Sequence, residues 1–555
     1  MNLKLLFCSV AVGLIVASCT DDNYDLSDVD TTSRVQVKDL VVPVNFDDVY
    51  LSDIIKIDDN SVIKVQNING KDYYTVSKTG EFDSDPIYIE SPEADAPALD
   101  SKVATLVGTD GTYPIEAMGN DFTFTCANVD AAIVEIENVQ VSPLDFNIQF
   151  NTPAMATATV KNVRLQLPKG MKGSATAGTY DAVTGVWNIP SLAVTNKVAK
   201  ATFTATYIDF TVNDFTFADR KFDFTSNFSI LGADLVAADA ASAPATTEFR
   251  ADFSLTELDV TAVSGRIEYQ VKGMDIESIR LNNLPTFLNN GETNLTLVNP
   301  MICLQTTNPV ASDKLNFTSA LSLAAVRDDV TQDAITSDIF TIGYDKGSDT
   351  PYNTVLSPEN PTFVPSDFAV GYTWTAFPGL DKVVAGNGLP SSINVVADNP
   401  MIPNQSVTDF GLGRDIPGVH GSYEFFCPLA FADGSVIYYS DTKDGWNKDI
   451  EDLTISSLTL TAEATNNTPF DAQLTIYPLG VDGNRINGVE LSSNVLKPGE
   501  PQEVVFTLSG EVKDLDGVEF FATIYAVDET TISPDQTIVF KNIRVKVNGY
   551  YEKKL

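Results

Sequence analysis

Phe470-Asp-Ala-Gln-Leu-Thr-Ile-Tyr477 is the stretch that decides the fold class. Phe470, Ala472, Leu474 and Ile476 alternate with Asp471, Gln473, Thr475 and Tyr477. An extended chain places the first set on one face and the second on the other, the period-two signature of a half-buried β-strand. Asp482-Gly483 follows, a pair that tolerates the positive φ of a tight turn, and directs the chain towards Val489 and Leu491. Elsewhere, residues 61–66 and 72–77 flank Asn69-Gly70, a hairpin signature. Asp110-Gly111, Asn290-Gly291 and Asp433-Gly434 punctuate other runs. Helical periodicity is confined to 45–57, where Asn45 is a candidate cap and Phe46, Val49 and Ile54 share a side. Many short strands closed by turns predict an all-β chain of tandem β-sandwiches.

At 555 residues the chain exceeds one ordinary core, and 43 % hydrophobic content suffices to pack several. The expected division begins with a leader over 1–18 and an acidic tether over 19–34, whose cleavage and lipidation rest on a resemblance given below, and a small N-terminal β-rich module over 35–95. A β-sandwich over 96–258, one or more sandwiches (a duplication is open) over 259–447, and a C-terminal sandwich over 448–555 complete the expected division. The duplication is suggested by an echo, Asn299-Pro-Met-Ile302 and Asn399-Pro-Met-Ile402.

Residues 158–207 carry Leu167-Pro168-Lys169-Gly170 behind a strand, then Tyr180-Asp-Ala-Val-Thr-Gly-Val-Trp187-Asn-Ile, then a Thr/Ala-rich strand. This segment resembles the conserved-repeat immunoglobulin-like domain of bacterial surface proteins. The resemblance implies that Leu-Pro-x-Gly closes a strand and that the Gly-x-Trp strand packs the core. The fold expected is therefore tandem immunoglobulin-like sandwiches, with Trp187 in a core.

The N-terminus reads differently. Lys4 precedes an apolar run, Leu5 to Ala17, that is too short to span a bilayer and has the layout of a secretory signal. It ends in Val16-Ala-Ser-Cys19, which resembles a bacterial lipobox, and that resemblance implies that Cys19 is lipidated and becomes the first mature residue. Asp21, Asp22, Asp25, Asp28 and Asp30 follow at once. This arrangement is similar to the export signal of Bacteroidetes surface lipoproteins, which implies an outer-membrane, surface-exposed location. As a physical object the acidic run is a solvated, self-repelling spacer.

Of five cysteines, Cys8 falls in the leader and Cys19 takes lipid, leaving Cys126, Cys303 and Cys427 in separate apolar contexts. An odd, scattered trio is no disulfide framework, and burial is expected. A net charge of −40 repels nucleic acid, so no nucleic-acid partner is expected.

Chemistry-bearing motifs are scarce. The one histidine, His420, is expected in a loop without a catalytic role; it cannot make a multi-histidine zinc site, and no nucleophile elbow or phosphate loop occurs. No cofactor is expected, although Asp441, Asp444, Asp514 and Asp516 sit in tight turns with oxygen ligands of the kind calcium takes. Tyr372 and Trp374, and Tyr439 and Trp446 beside the acidic turn, are candidate sugar-stacking rings. Core packing is the competing role for Tyr372 and Trp374. The reading reached from sequence is a lipid-anchored, non-enzymatic binding or adhesion module for glycans or for host or surface proteins. Two alternatives stand beside it. One is an assembly subunit that exchanges strands, with Arg34 preceding a strand-like run and Thr537–Val547 closing the chain. The other is a glycoside hydrolase using a carboxylate pair.

Overall fold

The computed structural model describes residues 32–42, 49–55, 57, 61–445, 447, 453–527 and 529–554. Strand accounts for 62 % against 4 % helix, so the all-β expectation is met. Within the described residues the strands form four large sheets and one two-stranded pair. The run expected to be helical keeps a single turn, Leu51–Ile54, with no side-chain cap. Val49–Tyr50 is drawn instead into pairing with Ile538 and Thr537. Asn45 and Phe46 lie outside the described residues.

The largest sheet links twenty strands by hydrogen bonds and is organised around Ile133–Asn151. Along one edge this strand pairs with Val198–Asp209. Along the other it pairs with Thr246–Leu255 at its C-terminal half and with Leu258–Gln270 at its N-terminal half. The partner changes around Pro143, which has no N–H to give a ladder. Leu258–Gln270 also pairs with Ser392–Gly411, so the expected boundary at 258–259 opens a strand that joins both halves.

The strands of segment 35–95, expected as a small N-terminal β-rich module, pair with other parts of the chain. Strand Thr32–Val42 pairs with Thr537–Lys554, the hairpin Ile63–Asp83 pairs with His420–Pro428, and Glu93–Ala94 pairs with Leu258 and Asp259. A lone hairpin buries too little to stand by itself, and each piece finds its partner elsewhere. Asn69 and Gly70 supply the two positive φ angles, 53° and 88°, that the two-residue turn requires.

Three apolar clusters follow from these sheets. One runs through the central body and includes Trp187, which is fully buried with Nε1 donating to the Ala177 carbonyl at 2.8 Å. The strand before Leu167-Pro168 ends at Gln166, and Gly170 takes φ 65° where a Cβ would come 2.8 Å from Asp209 and Val212. These are the roles expected for the Leu-Pro-x-Gly and Trp positions. A second cluster fills the C-terminal sandwich between Ala472, Leu496 and Leu515 on one sheet and Val504, Phe506 and Val547 on the other, with Val37 from the N-terminal strand. A third, small cluster around Cys303, Val355 and Phe426 is covered by Val364 and Phe368. Cys126, Cys303 and Cys427 are buried and free, as expected of small apolar side chains.

The opening strand spans Phe470–Gly480, with Leu474 and Ile476 packed on the C-terminal cluster. After Asp482-Gly483 its sheet partner is Ser493–Leu496, whereas Glu490–Leu491 pairs with Leu508 and Ser509 in the facing sheet. Asn299 and Asn399 share φ 46°, but Met301–Thr306 and Ser392–Gly411 belong to different sheets.

Candidate ligand-binding face of the C-terminal sandwich

Two strands flank Leu515–Ala526 in the outer sheet of the C-terminal sandwich: Val436–Lys443 on one side and Phe470–Gly480 on the other. Register sets which side chains share a face. Tyr438 lies opposite Thr523, Ser440 opposite Phe521, and Phe521 opposite Thr475. These residues, with Gln473 and Tyr477, are therefore on the face turned away from Ala472, Leu474 and Ile476, which pack inward.

On that outward face the rings of Tyr438 and Phe521 stack at 5.9 Å and 29°, and Tyr477 meets Phe521 edge-on at 6.2 Å and 76°. All three rings are half-buried. Arg485 lies over Tyr477 at 3.8 Å and donates from Nε to Glu519 at 2.5 Å. The Glu519 carboxylate, with the Tyr477 ring, holds the guanidinium charged and raises its pKa against the opposing pull of burial. The Tyr525 hydroxyl donates to Gln473 Oε1 at 3.4 Å. Apolar ring surface bordered by hydroxyls, an amide and a fixed ion pair is the chemistry that binds a saccharide. Sugar C–H faces rest on rings while hydroxyls exchange hydrogen bonds at the border.

The residues singled out from sequence are distributed otherwise. Tyr439 follows Tyr438 and so points to the opposite, inner face, with Ala522 as its cross-strand partner. Burial raises its pKa, with Asp441 adding to the effect. Trp374 is 38 % exposed on Thr373–Ala376, the edge strand of a different sheet, and donates from Nε1 to Ser357 Oγ at 3.1 Å. Tyr372 precedes that strand and packs half-buried on the Cys303 cluster. The structure thus does not bring Tyr372 and Trp374 together with Tyr439. Trp446 and Cys19 lie outside the described residues, as do Asp21, Asp22, Asp25, Asp28 and Asp30.

Asp441 Oδ1 accepts from the Thr442 N–H at 2.9 Å, and Asp516 Oδ1 accepts from the Asn447 N–H at 2.9 Å. Asp514 takes φ 54° in the turn before Leu515. Among the described residues no group of three or more His, Cys, Asp or Glu side chains is placed to hold a metal ion. His420 opens strand His420–Pro428 rather than sitting in a loop, and its Nδ1 lies 2.7 Å from Asp83 Oδ1, both side chains exposed. It is placed there because Asp83 is its cross-strand partner.

Phe521 was not distinguished by sequence. Val518-Glu-Phe-Phe-Ala-Thr-Ile-Tyr525 does alternate, with Val518, Phe520, Ala522 and Ile524 apolar and Glu519, Thr523 and Tyr525 on the face that Phe521 shares, but the Phe520-Phe521 pair was not read for it. The signal for Tyr477 was present in its own strand, where it alternates with Ile476.

No family model matches the chain, and no curated protein matches it. Among solved structures it is similar to one from Parabacteroides distasonis described as a "putative secreted protein", with 16 % identity and a TM-score of 0.35. That match covers 52 % of this chain and 89 % of the other. No helix among the described residues is long and apolar enough to cross a membrane.

Proposed function

We propose that the chain is a lipid-anchored surface protein of the bacterial outer membrane that binds saccharide without transforming it. The observation that carries the binding reading is the Tyr438–Phe521–Tyr477 ring cluster on an outward sheet face, bordered by Gln473, Arg485 and Glu519. Single exposed aromatics are ordinary on protein surfaces, whereas several rings held by cross-strand register on a solvent-facing sheet form a preorganised platform. The anchor reading rests on Val16-Ala-Ser-Cys19 and the aspartates behind it.

A glycan array on the soluble fragment 32–555, followed by titration of Tyr438→Ala and Tyr477→Ala, tests the binding reading. Loss of a few-fold to a hundredfold in affinity per ring, with unfolding midpoints unchanged, is expected. An array with no binder, or variants that bind as the parent does, would refute it. Mass spectrometry of the mature N-terminus tests the anchor: lipid on Cys19 is expected.

The assembly reading keeps one supporting observation, that among the described residues Thr32–Val42 is an edge strand paired with Thr537–Lys554 alone and so replaceable by a copy in trans. A mature start at Val35 would favour it over the anchored reading.

A further inference from the structure

The strand Lys71–Asp83 is paired unequally on its two sides. Thr75 to Asp83 pair with His420–Pro428, but on the opposite side the partner Ile63–Ile68 reaches only Val76, with one further bond from Ser77 N–H to Val62 O at 2.9 Å. Backbone groups alternate in direction along a strand, so Thr79 and Glu81 face the same side as Ser77. The bonds around them agree. Ser84 N–H turns to Val419 O on the paired side, and Asp85 N–H turns to Lys272 O on the other. Among the described residues no strand pairs with Thr79 or Glu81 on that side.

This edge borders an open groove of about 670 Å³ lined by Lys64, Lys78, Asn282 and Asn283 with Val62 and Ser77. Lys64, Lys78, Asn282 and Asn283 are exposed, and no hydrogen bond or ion pair is recorded for their side chains. Lys64 lies opposite Thr75 and Lys78 opposite Phe425, so the two cations stand on opposite faces of the sheet beside the open edge. In a chain of net charge −40, Lys64 and Lys78 have no acidic partner and stand next to unpaired backbone donors, with Glu81 exposed on the same edge and Glu424 buried across from Thr79.

We infer that this groove takes an extended acidic peptide segment of a partner protein, which adds as a strand along Thr79–Glu81 with its carboxylates on Lys64 and Lys78. Strand addition supplies backbone hydrogen bonds without regard to sequence, and the lysines select for charge. The site is separate from the aromatic face of the C-terminal sandwich, and its test does not depend on saccharide binding.

The probe is a fluorescein-labelled peptide of threonine and valine flanked by paired aspartates, titrated by anisotropy into the fragment 32–555 at low salt. Saturable binding that weakens with added salt is expected. Lys64→Ala with Lys78→Ala should weaken it about fivefold or more. Thr79→Pro, which removes the outward N–H at a position where an edge strand tolerates proline, should abolish it with the unfolding midpoint unchanged. A lysine-flanked control peptide should not bind. Absence of binding overturns the proposal. So does binding of an acidic oligogalacturonate that survives Thr79→Pro, because lysines alone would then account for it. Should that variant fail to fold, charge reversal at Lys64→Glu and Lys78→Glu decides, with retained peptide binding refuting the assignment.

Discussion

Replacing Trp187 probes the central body most directly. The indole is fully buried, so Trp187→Ala returns none of its area to a compensating contact. An aromatic side chain of this class buries roughly 150–250 Å², worth about 4–6 kcal/mol at ~25 cal/mol/Å². Compactness of the unfolded chain lowers that figure to the ~3–5 kcal/mol seen for large aromatic truncations. The Ala177 carbonyl also loses its donor at 2.8 Å, at about 1 kcal/mol. The expected loss is therefore about 4–6 kcal/mol. Trp187→Phe separates the two contributions, because it keeps most of the packing against Phe203, which in turn meets Tyr180, and forfeits the donor. Its expected cost is about 1–2 kcal/mol. Urea unfolding of the fragment 32–555, followed by far-ultraviolet circular dichroism, measures both. A Trp187→Ala loss below about 1 kcal/mol, or equal losses for the two variants, would refute the argument that apolar burial dominates at this position.

Three further outcomes are expected. Cys126, Cys303 and Cys427 are buried, and burial pushes the Cys303 and Cys427 thiols well above the ordinary range. Iodoacetamide at pH 8 should then leave all three unmodified by mass spectrometry until the fragment is unfolded. Burial pulls the Asp252 carboxyl upward, but donors from Ser101, Arg250 and Asn151 outweigh it and hold the folded value below the usual one. A lowered folded pKa adds stability that is present above the unfolded pKa near 4 and is lost as pH falls through the folded value. Asp252→Asn should therefore lower the thermal midpoint at pH 7, with the difference from the parent shrinking below about pH 4. Removing residues up to 42 bares the edge of Thr537–Lys554, and light scattering should show self-association that the longer fragment lacks.

Legibility followed a physical line. Alternation decides which face of a strand is buried, so Ala472, Leu474, Trp187 and the Asn69-Gly70 turn were readable locally. Alternation does not say which strand lies alongside. Thr32–Val42 finds its partner some five hundred residues on, and Lys71–Asp83 pairs with His420–Pro428, links that no local pattern encodes. Composition likewise does not show that a strand such as Leu258–Gln270 serves two neighbours. The candidate face was half legible. Tyr477 alternates outward within its own strand and Phe521 shares its parity with Glu519, Thr523 and Tyr525, but that these rings meet, and which of Tyr438 and Tyr439 joins them, is set by the register with Leu515–Ala526.

The pairing of the two chain ends has a mechanical side. Thr32 lies opposite Lys554, whereas Thr537, at the other end of the same strand, sits close to Thr530 and Thr531, which join the central body through Phe431 and Ala430. At about 3.3 Å per residue the N-terminal strand enters ~50 Å from where that body is attached. A pull from upstream of Thr32, resisted by anything the central body holds, runs along the strand axis. The pairs from Ser33–Lys553 to Val42–Val545 then carry load together in shear instead of opening one at a time like a zipper. Arg34, stacked on Tyr550 and paired with Glu552, clamps the end where tension arrives. The sandwich that carries the aromatic face is thus also the link through which traction would pass to the rest of the molecule.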